Sequence, residues 1–390
     1  MADTPLSMTN ITNALKYWYL EGLRHQYNEV ASAFLAQLER TQEHVEGYKI
    51  KMALSYGTTG GIGMRSDVGT FPTVNPRKFL QAEWETLNCF IKIQISDKAI
   101  QASRSSRGAF IAALTHDMEK AEKDGKRDYS RQIMGDGTGL LGTVTAISSA
   151  GNVRTCTLDS AKWFTEGMFI DAYTTTVKDT SEAEVTSVDK DLNKIVFTAT
   201  TAPEVGDLIY MAGNKDAELT GVKKVLTKDN ILYGVDRSTN KWFNPTVKAV
   251  NGEISEIKIQ EGIDDAEDEA GNVIDFLIAE KGVKRAYQNL LSAMKTISNT
   301  LDLKGGHKAL SFNGIPLVGD KYCPSGEITA LSLANWKMYE MADWDWMSED
   351  GKIIFRNTNT PVYNAVMRKY SDLGCDLPKG QISFTGIVRH

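Results

Sequence analysis

The chain has 390 residues, enough for two or three domains with cores of their own. Hydrophobic residues make up 42% and charged residues 24%, which excludes a disordered or fibrous chain. A net charge of -6, from 44 Lys+Arg against 50 Asp+Glu, excludes binding dominated by nucleic-acid phosphates, which needs a basic footprint. Met1-Ala-Asp-Thr-Pro-Leu6 lacks the basic-then-apolar pattern of a signal peptide, and no apolar run is long enough to span a bilayer. Cys89, Cys156, Cys323 and Cys375 form no Cys-x-x-Cys pair, which fits reduced thiols in a protein assembled in cytosol.

From the N-terminus, Leu15, Trp18, Tyr19, Leu23, Tyr27, Val30, Phe34 and Leu38 recur at helical spacing and predict a helix over 11–46. It reads as a core helix or as an arm lying on a neighbour, since no following segment is an obvious partner. Gly57, Gly60, Gly61, Gly63 and Gly69, with Pro72 and Pro76, exclude a helix in the next stretch. Phe79 and Trp84 follow, then a strand in which Phe90 precedes alternating Ile91, Ile93 and Ile95, so a long hairpin arm is expected. So glycine-rich an arm has little core, and something outside it completes its burial.

Residues 105–134 read as one long amphipathic helix, a rod of roughly 40 Å. Phe110, Ile111, Leu114, Met118, Ala121, Gly125, Tyr129 and Ile133 share one arc, and Glu119, Lys120, Lys123, Asp124 and Arg127 lie opposite. Glu119 with Lys123 and Glu122 with Lys126 are favourable one-turn pairs. Gly135-Asp-Gly-Thr-Gly139 then stops the helix. Short strands at 143–147, 153–158, 168–172, 183–188, 194–199 and 206–210 predict an inserted barrel or sandwich over 140–213, with 189–193 as a hairpin connection. The segment 261–280 holds eight Asp or Glu and no Lys or Arg, and its acidic cluster reads as a solvated loop. A helix follows, with Ala286, Tyr287, Leu290, Leu291, Met294 and Ile297 on one side. Asn313-Gly314 and Pro324-Ser-Gly326 are turn formers. The end alternates a strand at 353–355, a helix at 361–373 and a strand at 382–388.

Chemistry is sparse. The Gly57–Gly63 run lacks the Gly-Lys-Ser/Thr ending of a phosphate loop. His25, His44, His116, His307 and His390 show no metal-ligand spacing, and the Asp264–Glu269 cluster has Glu269 where a calcium loop needs glycine. Trp344 and Trp346 would share a face of a strand and could stack on a sugar, although packing is the commoner fate of tryptophan. No nucleophile elbow or paired-carboxylate signature is present, so no enzyme, cofactor or metal is expected.

The order of these parts resembles the major capsid protein of tailed bacteriophages, whose fold is shared with the herpesvirus capsid floor. The resemblance rests on the helical N-terminus, the glycine-rich loop returning through Phe90-Ile-Lys-Ile-Gln-Ile-Ser-Asp97, and the long helix ending in Gly-Asp-Gly-Thr-Gly. Tyr233-Gly-Val-Asp-Arg237 with Trp242, Leu310-Ser-Phe-Asn-Gly-Ile-Pro316, and Asp320 followed by Pro324-Ser-Gly326 add to it. It implies an α+β fold with an N-terminal arm (1–50), an extended loop (51–96), a peripheral domain (97–139 and 336–390) holding the spine helix, and an axial domain (214–335). The β unit at 140–213 resembles the small all-β domains that some members carry on the outer surface.

The implied function is structural: a homo-oligomer of pentamers and hexamers forming an icosahedral shell around double-stranded DNA, in a virion assembled in the bacterial cytoplasm. A separate scaffolding protein, a portal and a decoration protein are the implied partners, with no membrane. Trp18, Tyr27, Phe71, Lys78, Phe79, Trp84, Glu119, Lys123 and Arg127 are the implied inter-subunit contacts. Lys78 with Asn357 or Asn359 is the only candidate isopeptide pair, and no crosslink is expected. The rival readings are an encapsulin-like compartment shell and a carbohydrate- or surface-binding module built on the β unit.

Overall fold

A computed structural model describes residues 32–58, 60–96, 107–174, 176–293, 300–302, 308–348, 353–356 and 361–390. Two units emerge: the described residues up to Met134 together with Val222–His390, and Gly135–Gly221. In chain order, β1 (Glu39–Thr41) and β2 (Val45–Glu46) lead into the hairpin strands β3 (Lys49–Tyr56) and β4 (Lys78–Glu85), then β5 (Leu87–Ser96) and helix α1 (Arg107–Met134). The second unit contains β6 (Leu140–Ala150), β7 (Val153–Leu158), β8 (Phe169–Thr174), β9 (Val177–Asp189), β10 (Lys194–Thr198) and β11 (Leu208–Met211). The chain re-enters the first unit through α2 (Val222–Val225), β12 (Ile231–Leu232), β13 (Val235–Asp236), β14 (Thr246–Gly252), α3 (Glu256–Ala270), β15 (Phe276–Ala279) and α4 (Lys281–Ala293). It finishes with β16 (Thr300–Asp302), β17 (Lys308–Phe312), β18 (Ile315–Gly319), β19 (Ile328–Leu331), β20 (Trp336–Trp346), β21 (Ile354–Arg356), β22 (Val362–Cys375) and β23 (Ile382–Ile387).

Two sheets organise the first unit. In one, β22 runs antiparallel to β5 on one side and to β20 and β21 on the other, with β1 parallel to β20 at the far edge. The end of α1 packs here: Tyr129, Ile133 and Met134 are buried, and the Tyr129 ring meets Trp344 edge-on at 5.6 Å. Trp344 and Trp346 are thus core residues and leave no face for a sugar. The other sheet has the order β14-β23-β19-β15-β18-β17-β16, with α3 against β14 and β23 and α4 against β18. Its central strand β15, Phe-Leu-Ile-Ala, is buried on both faces, as its unbroken apolar run requires. Ile263, Leu277, Val283, Tyr287, Leu317 and Phe384 share this core.

A buried charge group sits in the first sheet. Lys369 on β22 is almost wholly buried, with its Nζ 2.5 Å from Glu340 Oε1 and 2.8 Å from Asp343 Oδ1. Residues three apart on a regular strand face opposite sides; register shifts in β20 after Glu340 and after Ala342 turn both carboxylates toward one lysine. Burial alone would lower the Lys369 pKa, but the facing acids raise it above the ordinary lysine value.

The second unit is a closed six-stranded barrel, β10-β7-β6-β11-β8-β9, with Leu158, Phe164, Ile170, Val185, Phe197 and Ile209 in its core. Closure removes every sheet edge. Asp171 lies where the β8–β9 register breaks, almost wholly buried. Its carboxylate accepts the Glu182 N–H at 2.8 Å and the Gly213 N–H at 3.0 Å, and meets Lys178 Nζ at 2.9 Å. Burial would raise its pKa, but these donors hold it below the ordinary aspartate value.

Four expectations need correction. Within 32–46, where a helix was expected, the chain forms turns and the strands β1 and β2, because β1 finds its hydrogen bonds along the edge of β20. The stretch 361–373 is not a helix but part of β22: ladders on both sides override a short, ambiguous apolar pattern. The acidic cluster 264–269 is not a loop but lies on α3, whose Ile259, Gly262, Ile263 and Ala266 face the sheet and whose end is capped by Gly271 in the left-handed region. The last strand, grouped by the resemblance with the spine helix, pairs instead with β14 and β19. Residues 11–31, 97–106 and 294–299 lie outside the described residues.

Replacing Lys369 by Met removes the nearest cation from buried Glu340 and is expected to cost about 3–5 kcal/mol in denaturant unfolding. Asp171 has a folded-state pKa below its unfolded value of 3.8, so its contribution is complete above that pH and is lost as pH falls below it. Asp171→Asn is expected to destabilise the barrel by about 1–3 kcal/mol at neutral pH and to flatten its acid dependence below that point, followed by barrel-specific hydrogen exchange.

Candidate inter-subunit arm

β3 and β4 form a hairpin in unbroken register, from Lys49 opposite Glu85 to Tyr56 opposite Lys78. At its root, alternation buries Ile50, Met52, Leu54 and Ala82. Beyond Tyr56 the chain continues as an extended, glycine-rich tip. There Ile62, Met64, Val68 and Phe71 are each more than nine-tenths exposed, and Val74 and Phe79 are largely so. Scattered exposed apolar side chains are ordinary, but this many in one short segment, nearly stripped of contacts, marks an interaction surface. The end of the tip is closed on itself: Arg65 donates to the Thr70 carbonyl at 3.1 Å and the Met64 carbonyl at 2.9 Å, and Gly69 N–H bonds Ser66 O at 2.9 Å.

Aromatic packing fixes the arm to the body. Trp84 of β4 lies on Tyr233 with centroids 4.0 Å apart and meets Tyr339 edge-on at 5.7 Å. Tyr56 stacks in parallel on Trp242 at 4.6 Å. Tyr233 occupies the left-handed region at φ 51, and its carbonyl accepts the Glu83 N–H at 3.0 Å. Its buried hydroxyl donates to Leu373 O at 3.0 Å and accepts from the Cys375 N–H at 3.1 Å, and burial raises its pKa well above the ordinary tyrosine value. Gly374 is required by contact: a Cβ there would lie 2.2 Å from Tyr339 Cε2 and 3.2 Å from Trp84 Cζ2. Arg237, fully buried, donates to the carbonyls of Val225 at 2.7 Å and Lys224 at 3.0 Å, closing the end of α2. Beside the root, a cavity of about 440 Å³ is lined by Met52, Leu54, Trp242, Phe243, Lys337 and Tyr339, among others.

Of the residues expected at subunit contacts, Phe71, Lys78 and Phe79 are exposed on the arm, and Lys123 is exposed and Arg127 half-buried on α1. Trp84 is engaged within the chain, as the pivot of the root. Trp18, Tyr27 and the side chain of Glu119 lie outside what is described, as do Asn357 and Asn359. Sequence reasoning missed Ile62, Met64 and Val68, whose signal was apolar residues inside a glycine-rich stretch with no period to bury them. It also missed the partnership of Tyr233, Tyr339 and Gly374, which no local spacing encodes.

No protein-family model matches the chain, and no curated protein matches it. Among solved structures, a chain of the cyanophage A-1(L) capsid asymmetric unit superposes with a TM-score of 0.52 at 10% identity, over 94% of this chain and 93% of that one. The fold is that of a phage capsid subunit. Lower scores, 0.45 and 0.42, relate it to the holo-SrpI encapsulin complex of Synechococcus elongatus PCC 7942 (10% identity, 93% and 90% covered) and to the capsid of Myoviridae phage XM1 (8% identity, 90% of each chain covered). In this capsid-subunit fold the root joint sets the direction of the arm. Gly374→Ala is expected to displace the Tyr339 and Trp84 rings and to raise hydrogen exchange in β3 and β4 well above that of β20, at a cost of about 1–3 kcal/mol.

Proposed function

We propose that this chain is the major capsid subunit of a tailed phage, assembling as pentamers and hexamers into an icosahedral shell around double-stranded DNA. The arm carries this reading: its root is locked to the body, while its tip holds Ile62, Met64, Val68 and Phe71 in water. Such a tip gains burial only against another molecule, and in a protein of this fold the natural one is another copy. Modest contacts repeated over many copies sum to a durable shell. Phe71, Lys78 and Phe79 of the arm would meet Lys123 and Arg127 on a neighbour's spine helix, with Trp18, Tyr27 and Glu119 adding to the contact. The role is structural, with no catalytic step.

Charge supports a place for the barrel. Gly135–Gly221 carries 13 Asp+Glu against 6 Lys+Arg, leaving 37 against 38 for the rest of the chain. So acidic a unit is repelled by nucleic acid, which favours the outer face of the shell, where a decoration protein would reach it. A separate scaffolding protein and a portal complete the set of partners, with assembly in the host cytoplasm.

Electron microscopy of the expressed protein, alone and with its scaffold, tests the proposal: closed shells are expected, and persistent monomers under every assembly condition would overturn it. Met64→Asp and Phe71→Asp should each weaken assembly by about 1.5–3 kcal/mol per contact while leaving subunit unfolding unchanged.

A further inference from the structure

The root of the arm has one open edge, and the cavity lies along it. The Thr86 N–H bonds the Tyr48 carbonyl at 2.8 Å, so Tyr48 and its alternates Ile50, Met52 and Leu54 turn their backbone groups toward β4. Lys51, Ala53 and Ser55 turn theirs to the opposite edge. On that side β2 reaches only the Lys51 N–H, which bonds the His44 carbonyl at 3.0 Å. The N–H and C=O groups of Ala53 and Ser55 therefore face outward with no strand beside them among the described residues. The outer edge of β4 is occupied instead, since the Glu83 N–H bonds the Tyr233 carbonyl at 3.0 Å. The cavity of about 440 Å³ follows the open edge, from His44 along Met52–Ser55. Its floor is apolar, with Met52, Leu54, Phe243 and Tyr339 all buried. Unpaired backbone groups above an apolar floor make a slot for one extended chain.

Charge selects the occupant. Among the lining groups, Lys379 is held by Glu269 at 2.5 Å, and Asp376 accepts the Tyr339 hydroxyl at 3.2 Å. Lys337 lines the same cavity, half-buried, with no carboxylate against it among the described residues. It stands two residues before Tyr339 on β20, so the two share a face. We propose that this slot binds an extended acidic peptide of another protein, added as a strand to β3. One apolar side chain of the peptide rests on Met52, Leu54 and Tyr339, and a carboxylate two residues along, on the same face, meets Lys337. Ladder hydrogen bonds to Ala53 and Ser55 supply affinity, and the alternate side chains supply choice. The arm tip of a second copy fits less well, because residues 57–77 carry Arg65 and Arg77 against one acid, Asp67. This goes beyond the shell reading and does not depend on it, because the slot is complete within one subunit.

The probe is a blocked heptapeptide with threonine at its odd positions and valine, phenylalanine and glutamate in turn at the even ones. Titrated against the full chain and followed by tryptophan emission, since Trp242 lines the cavity, it is expected to bind saturably. Lys337→Glu is expected to weaken it by roughly tenfold, the equivalent of about 1.4 kcal/mol. A peptide with lysine in place of the glutamate should reverse the order and bind Lys337→Glu more tightly than the natural chain. Two further peptides carry N-methyl groups on either the odd or the even amides. One of them is expected to lose binding and the other to keep it, because only one edge of the peptide meets β3. The near-UV signal of the Trp84 joint checks that the body is intact in the variant. The proposal is overturned by an absence of saturable binding, by glutamate and lysine peptides that bind the natural chain alike, or by two N-methylated peptides that both bind like the parent. Self-association that Lys337→Glu abolishes, with no peptide bound, would give the slot to a second copy and overturn it equally.

Discussion

The direction of the arm rests on one joint, Trp84 held between Tyr233, Tyr339 and the bare backbone of Gly374. A two-stranded hairpin is marginal in water by itself, and this one buries side chains only near its root. Aromatic pairs contribute about 0.5–1.5 kcal/mol each beyond their area. Here they act together with the Tyr233 hydroxyl, which ties the same joint to the last residues of β22. The joint therefore couples the arm to the sheet on which α1 packs. A rigid root with an unburied tip favours any contact that the tip makes, because a tip aimed at random would spend the contact energy on ordering itself.

The register of that sheet is set by the charge group around Lys369. Shifting β22 by one residue would move Lys369 to the other face and leave Glu340 buried without its nearest cation. Apolar packing tolerates small slips, whereas an ion pair this deeply buried does not. The barrel solves the same problem by closure, with Asp171 fastening the break between β8 and β9. Both devices place a costly polar group where a single geometry satisfies it.

Much of the outline was legible along the chain. Helix α1 and its glycine stop, the six strands of the barrel and the hairpin arm all carry local signals: a sustained period, turn residues at regular spacing, and glycine where no side chain could pack. The misread segments share another cause. Residues 362–373, 39–41 and 45–46 are strands because their neighbours offer ladders, and the acidic helix α3 is a helix because one apolar stripe finds a sheet. In each but the short 45–46 pairing, the deciding partner lies far away in sequence.

The same division holds for the functional surface. The sequence by itself determined that there is an arm without a core, a rigid helix and an acidic β insert, since period, composition and charge are properties of neighbours in the chain. Only the tertiary structure decided which apolar residues remain in water, and that Trp84 packs against Tyr233 and Tyr339. Those outcomes depend on pairing register and on close approach between distant residues, and no local pattern specifies either.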